Sequence, residues 1–205
     1  MEEFVELEEL NTIELFNKKI MVLCDDVITE DTLADLAIIN IIDSQPYVFG
    51  TIITTGDKIS DFYKRFIENN PDSDKIKIGY LYRRYTFLIN KKIFKNNTYF
   101  LLDNYSYSQQ QLQSIISKIN DANMMSIFSY PYIIKDDSIN YDYYFITCYT
   151  DKESIQYIYN NFVKKENFKE FLDFFTIIID CIDNEIVVVI DVNNNKILAY
   201  DMSFD

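Results

Sequence analysis

The stretch YYFITCYTDKESIQYIYNNF, residues 143–162, joins a strand pattern to a helix pattern. Its first part is rich in aromatic and β-branched residues, which strands favour. Thr150 and Glu153 have the spacing of a capping box, which marks the start of a helix. One apolar helix face is predicted by residues at i, i+3, i+4 and i+7, namely Ile155, Ile158, Tyr159 and Phe162. The stretch therefore predicts a strand followed directly by a helix.

The same strand–helix pattern occurs twice earlier in the chain. YVFGTIITTGDKISDFYKRFI begins at Tyr47, and YFLLDNYSYSQQQLQSIISKI begins at Tyr99. From Lys75, KIKIGYLYRRYTFLINKKIFKNNTYFLLD predicts two or three strands joined by turns, the last of them the TYFLLD strand of the second copy. SIFSYPYII, residues 126–134, predicts a last strand. Residues 47–134 thus have the ferredoxin-like order βαββαβ.

Two further segments flank this unit. Residues 1–46 form an acidic segment, with a helix predicted over 2–16, a buried strand in KKIMVLCDD and a helix over 31–40. Residues 135–205 predict a βα(α)βββ unit that ends in a β-meander of TIIIDCID, EIVVVID and KILAYD, with Asn193–Asn195 as its hairpin loop. We expect one compact α+β domain, with an antiparallel or mixed sheet and helices packed on one face.

Composition excludes several kinds of chemistry. The 205 residues include no His, so neither a His-dependent nucleophile nor a His-ligated metal site can form. Cys24, Cys148 and Cys181 lie in or beside apolar runs, which is typical of reduced thiols packed as small hydrophobic groups. We therefore expect no cofactor and no metal.

The chain begins with acidic MEEFVELEEL and has no apolar run long enough for a bilayer span, so we expect a cytoplasmic protein without membrane contact. Trp is absent, and Ile, Asn, Lys, Asp and Tyr are abundant. This bias is typical of proteins from AT-rich genomes, such as those of viruses, phages, plasmids and low-GC bacteria.

Negative charge is concentrated at the two ends of the chain. The net charge of −14 divides into −10 for residues 1–46, +4 for 47–104 and −8 for 105–205. A solvated acidic surface explains this distribution, and so does an acidic face that meets a basic partner. Net negative charge disfavours nucleic acid as the partner, because binding to nucleic acid depends on neutralising phosphates.

Carboxylates are the candidate metal ligands. Asp25-Asp26, Asp136-Asp137 and the group Asp180, Asp183, Glu185 and Asp191 are the possible sets. Asp191-Val-Asn-Asn-Asn195 has the opening of a calcium loop, but Lys196 replaces the required Gly and Met202 replaces the bidentate Glu. The sequence favours a hairpin turn there, and turn or cap roles for the other acids.

The most distinctive local run is Tyr80-Leu-Tyr82-Arg83-Arg84-Tyr85, in the basic part of the chain. Aromatic residues beside Arg on a strand can stack on bases or grip phosphates, but they can also pair with acids or line an interface. We predict partner-binding residues in this run and in the acidic N-terminus: Glu2, Glu3, Glu6, Glu8, Glu9, Tyr80, Tyr82, Arg83 and Arg84.

Three functions are consistent with these features. The first is a non-enzymatic, acidic, Tyr-rich inhibitor or accessory factor of the immunity or viral and phage counter-defence type, which binds a protein with a basic surface. The second is a structural or assembly subunit of a multi-protein complex, in which the same surface makes a homo-oligomer. The third is a metal-dependent carboxylate enzyme, such as a nuclease, built on Asp180, Asp183 and Asp191.

Overall fold

A computed structural model describes residues 15, 17–24, 32–44, 49–54, 61–69, 76–80, 98–103, 125–133, 139–163 and 168–202. The described strands are β1 Lys19–Leu23, β2 Phe49–Thr54, β3 Ile76–Tyr80, β4 Thr98–Asp103, β5 Met125–Tyr130, β6 Tyr143–Ile146, β7 Ile186–Asp191 and β8 Lys196–Asp201. The described helices are α1 Leu33–Asp43, α2 Asp61–Asn69, α3 Lys152–Ile158, which continues into a π-helical turn Tyr159–Val163, and α4 Phe171–Asp183.

The eight strands form one mixed sheet in the order β3-β2-β4-β5-β1-β6-β7-β8. Neighbouring strands from β3 to β6 are parallel, whereas β7 is antiparallel to β6 and to β8. β1, from the acidic first segment, lies between β5 and β6, so one sheet takes strands from all three segments of the sequence. The α+β fold with a mixed sheet is confirmed, and the division into three segments stays a prediction.

Each face of the sheet has its own apolar core, as the two-residue period of a strand requires. On β1, Met21 and Leu23 contribute to one core, and Ile20 and Val22 contribute to the other. β5 is buried along its whole length, which is typical of strands inside parallel sheets. α3 and α4 cover the Met21 face, and α1 covers the Ile20 face. The expectation that the helices pack on one face is therefore wrong.

The ferredoxin-like arrangement of residues 47–134 is present only in part. β2 and β4, the first and third strands of that unit, are neighbours as expected. β3 and β4, predicted as adjacent strands, instead lie on either side of β2 and run parallel. The 17 residues between β3 and β4 are long enough for a parallel crossover, but they lie outside the described residues.

The predicted meander is partly wrong as well. TIIIDCID, residues 176–183, belongs to α4, where Phe174 and Ile178 are buried one helical turn apart. β7 and β8 form the predicted hairpin, and Asn195 in its loop has the positive φ of 54° that Asn tolerates. The unit therefore reads βααββ, with β6 as the third antiparallel strand.

α1 begins two residues later than predicted, because Thr32 is its N-cap. The Thr32 hydroxyl accepts a hydrogen bond from the Asp35 N–H at 3.2 Å, and the Asp35 carboxylate accepts one from the Thr32 N–H at 3.2 Å. This capping box satisfies two backbone donors that the first helical turn would leave unbonded. The helix predicted over 2–16 lies almost wholly outside the described residues. No helix in the described parts of the chain is long and apolar enough to cross a bilayer.

Asp142 connects three strands at the end of the sheet where β1 and β6 begin. Its carboxylate accepts hydrogen bonds from the Lys19 N–H and from the Asn193 side-chain amide, each at 2.8 Å. Lys18 Nζ lies 3.8 Å from the same carboxylate. The Asp142 backbone bonds to Lys19 and to Val192. One side chain thus joins β1, β6 and the β7–β8 hairpin.

Replacing Asp142 with Ala should lower the free energy of unfolding by about 2–3 kcal/mol, because two hydrogen bonds to a charged acceptor are lost together. Asn193→Ala is the matched control, since it removes one of those bonds and should cost about 1 kcal/mol or less. Denaturant unfolding of both variants measures the difference. A loss for Asp142→Ala no larger than that for Asn193→Ala contradicts the role assigned to Asp142.

Candidate functional site

The neighbouring parallel strands β5, β1 and β6 are joined by hydrogen bonds at their carboxyl ends. The Cys24 N–H, just past β1, donates to the Tyr130 carbonyl of β5 at 3.0 Å. Thr147, just past β6, donates to the Leu23 carbonyl through its N–H at 3.2 Å and through its hydroxyl at 2.6 Å. These bonds fix the starting points of the loops that follow β5 and β6.

The chain leaves β1 and β6 in opposite directions. After β1, α1 packs on one face of the sheet and the chain goes on to β2. After β6, α3 and α4 pack on the other face and the chain returns as β7. Adjacent parallel strands whose connections diverge in this way form a topological switch point. Ligands of open α/β sheets bind in the crevice outside the carboxyl ends of such strands.

An open groove of about 650 Å³ lies at this position. The loop after β5 and the start of α3 line it, and we call it the carboxyl-edge groove. Its lining residues are Pro131, Tyr132, Ile133, Thr150, Asp151, Glu153 and Ser154. Tyr132 is 50% exposed, whereas the flanking Tyr130 and Ile133 are buried. The groove thus combines one exposed aromatic side chain with apolar residues of the loop after β5 and polar residues at the start of α3.

A short chain of hydrogen bonds holds the two walls of the groove together. The Ile133 N–H donates to the Ser154 hydroxyl at 2.7 Å, and that hydroxyl donates to the Asp151 carboxylate. Ser154 is buried, so this bonding also satisfies a hydroxyl that would otherwise be costly to bury. The loop after β5 is therefore fixed to the first turn of α3.

The groove is negatively charged. Asp151 and Glu153 contribute two carboxylates, and no basic side chain in the described parts of the chain lies within ion-pair distance of either. Lys152, between them in sequence, instead places its ammonium group 5.1 Å from the Phe175 ring and 5.8 Å from the Phe171 ring. This cation–π contact places the Lys152 ammonium group against α4.

A second acidic surface lies on α4. The exposed residues of this helix are Leu172, Asp173, Thr176, Asp180 and Asp183, and their spacing places them on one side of the helix. We call Asp173, Asp180 and Asp183 the α4 acidic face. Leu172 is 63% exposed beside it, and the face contains no basic residue. It combines negative charge with an exposed apolar side chain.

Cys181, half-buried beside this face, responds to its charge. Burial raises the pKa of the Cys181 thiol above its usual value of 9.0, and the Asp180 carboxylate raises this pKa further. Cys24 and Cys148 are buried, so Cys181 is the most accessible of the three thiols.

The predicted partner-binding residues lie elsewhere. Tyr80 ends the edge strand β3, where its backbone pairs with Thr54, and three strands separate it from β1. The other eight lie outside the described residues, so their role stays a prediction: Glu2, Glu3, Glu6, Glu8, Glu9, Tyr82, Arg83 and Arg84. Tyr132, Asp151 and Glu153 were not predicted, because only the parallel sheet order reveals that the loops after β5 and β6 converge.

The predicted carboxylate group does not converge in the fold. Asp180 and Asp183 are exposed on α4, whereas Asp191 is buried at the far end of β7 and bonds Asn194 in the hairpin, as a turn residue does. Among the described residues, no three acids or cysteines cluster as metal ligands. Asp25-Asp26 and Asp136-Asp137 lie outside those residues.

The predicted capping box of Thr150 and Glu153 is wrong. Asp151 is the N-cap of α3 and makes no side-chain capping bond, while the Thr150 hydroxyl lies 3.8 Å from the Cys148 sulfur.

Comparison with known proteins does not name a relative. No family model matches this chain, and no curated protein matches it at a significant level. Function therefore has to be inferred from the geometry of the carboxyl-edge groove and the α4 acidic face.

Ser154→Ala should lower the free energy of unfolding by about 1–3 kcal/mol, because the buried Ile133 N–H loses its acceptor. Ser126→Ala is the matched control. Ser126 is fully buried in β5, and its hydroxyl has no hydrogen-bond partner among the described residues. Removing that hydroxyl should leave stability unchanged or raise it slightly. Equal losses in denaturant unfolding of the two variants argue against the bond that joins the groove walls.

Alkylation of Cys181 by iodoacetamide should be slow at neutral pH, because the thiolate is the reactive form and the raised pKa keeps the thiol protonated. Asp180→Asn removes one cause of the raised pKa, so the reaction at a fixed mildly alkaline pH should become faster. Asp183→Asn is the control, because it removes the same charge at a position two residues from Cys181. Mass spectrometry of the labelled peptide measures the rates. A rate unaffected by Asp180→Asn contradicts the assigned electrostatic coupling.

Proposed function

We propose that this protein is a non-enzymatic binding factor that attaches to a basic partner protein through the α4 acidic face. The observation that supports this proposal is the composition of the exposed side of α4, with three carboxylates, one exposed leucine and no basic residue. Carboxylates steer and orient a basic partner, and an exposed apolar side chain supplies area to bury at an interface.

The placement of the acids adds support. An isolated exposed carboxylate is ordinary surface chemistry, but Asp173, Asp180 and Asp183 recur at spacings of seven and three residues, so they present their charge in one direction. Lys169 precedes α4, and no base occupies its last turn. The negative field of the face is thus not neutralised within the helix. An inhibitor or accessory role of the immunity or counter-defence type is the form of binding we propose.

The triple substitution Asp173→Asn, Asp180→Asn and Asp183→Asn should weaken binding to the partner about tenfold at low salt, since exposed charge pairs contribute ~0.2–1 kcal/mol each. The partner is first identified by co-purification from the native host and mass spectrometry. Its affinity is then measured by calorimetry at low and at physiological salt. Screening should reduce the effect at physiological salt.

Glu68→Gln, Glu185→Gln and Asp201→Asn together form the matched control, because they remove the same number of charges from exposed positions outside the α4 acidic face. This control should keep most of the affinity. Equal weakening by both triple variants would mean that only net charge matters, and an affinity independent of salt would exclude an electrostatic interface. Either result contradicts the proposal.

A further inference from the structure

The carboxyl-edge groove is suited to a cation rather than to an anion. Phosphate-binding crevices at switch points use glycine-rich loops and bare backbone N–H groups. Here the Ile133 N–H is already bonded to Ser154, and the carboxylates of Asp151 and Glu153 would repel an anion. Among the described residues, no third acid or cysteine joins these two to complete a metal site.

Tyr132, the exposed aromatic residue of the groove, indicates which kind of cation would bind there. Tyr132 is half-exposed, and its ring contacts the buried Tyr130, with ring centroids 6.2 Å apart at an angle of 59°. A planar guanidinium stacks on an aromatic ring and also forms paired hydrogen bonds with a carboxylate, whereas an ammonium group is a strongly hydrated point charge. A groove lined by an exposed ring and two carboxylates therefore matches guanidinium chemistry better than ammonium chemistry.

The basic residue closest in sequence to the two carboxylates makes its contacts elsewhere. Lys152 lies between the two carboxylates in sequence, but its ammonium group contacts Phe171 and Phe175 on α4. Asp151 keeps one carboxylate oxygen beyond the one that Ser154 bonds. The N-terminus of α3 favours both carboxylates, and no basic side chain among the described residues forms an ion pair with either.

We infer that the carboxyl-edge groove receives the guanidinium group of an arginine side chain from the partner protein, with Tyr132 stacking on it and Asp151 and Glu153 pairing with it. This inference rests on the proposed function, because it assigns a second contact to the same basic partner. The groove supplies specificity for one arginine, while the α4 acidic face supplies general attraction.

The direct test is an NMR titration of the full chain with N-acetyl-arginine amide, and with the citrulline analogue as a probe of the same shape without the charge. The arginine probe should shift the amide signals of Tyr132, Ile133 and residues 151–154, and the citrulline probe should not. Tyr132→Ala and Glu153→Gln should each weaken binding of the arginine probe by about threefold or more. Circular dichroism confirms that each variant is folded.

Tyr149→Ala and Glu185→Gln are the matched controls, because Tyr149 is 39% exposed and Glu185 is exposed, yet neither lines the groove. Both should bind the arginine probe like the wild type. Equal shifts with the citrulline probe, or equal weakening in the controls, overturn the inference.

A second experiment measures binding to the partner protein. Tyr132→Ala combined with Glu153→Gln should weaken partner binding as well as probe binding. If this double variant keeps full partner affinity while the α4 triple variant loses it, the groove inference is wrong and the proposed function stands. If the α4 triple variant keeps full affinity and the double variant loses it, the α4 acidic face is excluded and the groove assignment stands.

Discussion

The rest of the structure depends on the burial of β1 between two parallel neighbours. Four consecutive side chains, Ile20 to Leu23, are almost fully buried, two on each face of the sheet. At roughly 1.5–3 kcal/mol for each buried side chain, an upper estimate is about 6–12 kcal/mol. That is comparable to the whole net stability of a typical domain. Because these residues contribute to both cores, the first segment of the chain packs together with the last.

The same strand separates β5 and β6, whose following segments line the groove. β5 and β6 are not paired with each other, because β1 lies between them. Their carboxyl ends are therefore two strand spacings apart, about 9–10 Å. Hydrogen bonds from Cys24 and Thr147 hold these ends in register with β1. Among the described residues, the hydrogen bond from the Ile133 N–H to the Ser154 hydroxyl joins the loops that follow β5 and β6. The strand order thus leaves room for the groove at the carboxyl edge.

Local sequence patterns predicted most of the described helices and strands, but not which strands pair with each other. The strand and helix of residues 143–162 and the Asn193–Asn195 turn are where periodicity and turn chemistry placed them. Residues 176–183 were mistaken for a strand, because Ile177–Ile179 is a continuous apolar run and such a run fits either element. Alternating strands and helices are typical of parallel βαβ units, but the order of the strands depends on long-range pairing that the pattern does not specify. The groove residues follow from that order, so they could not be predicted either.

Asp180 and Asp183 occupy positions at which a carboxylate lowers the stability of α4. Asp180 and Asp183 occupy the last turn of α4, where the helix dipole is negative and a base would be favourable. Each carboxylate there costs about 0.3–1 kcal/mol relative to a neutral residue. A basic partner lying against this turn would replace that unfavourable interaction with a favourable one, as functional surfaces that sacrifice some stability commonly do. Partner binding and the stability of the end of α4 are then coupled, because the same two carboxylates determine both.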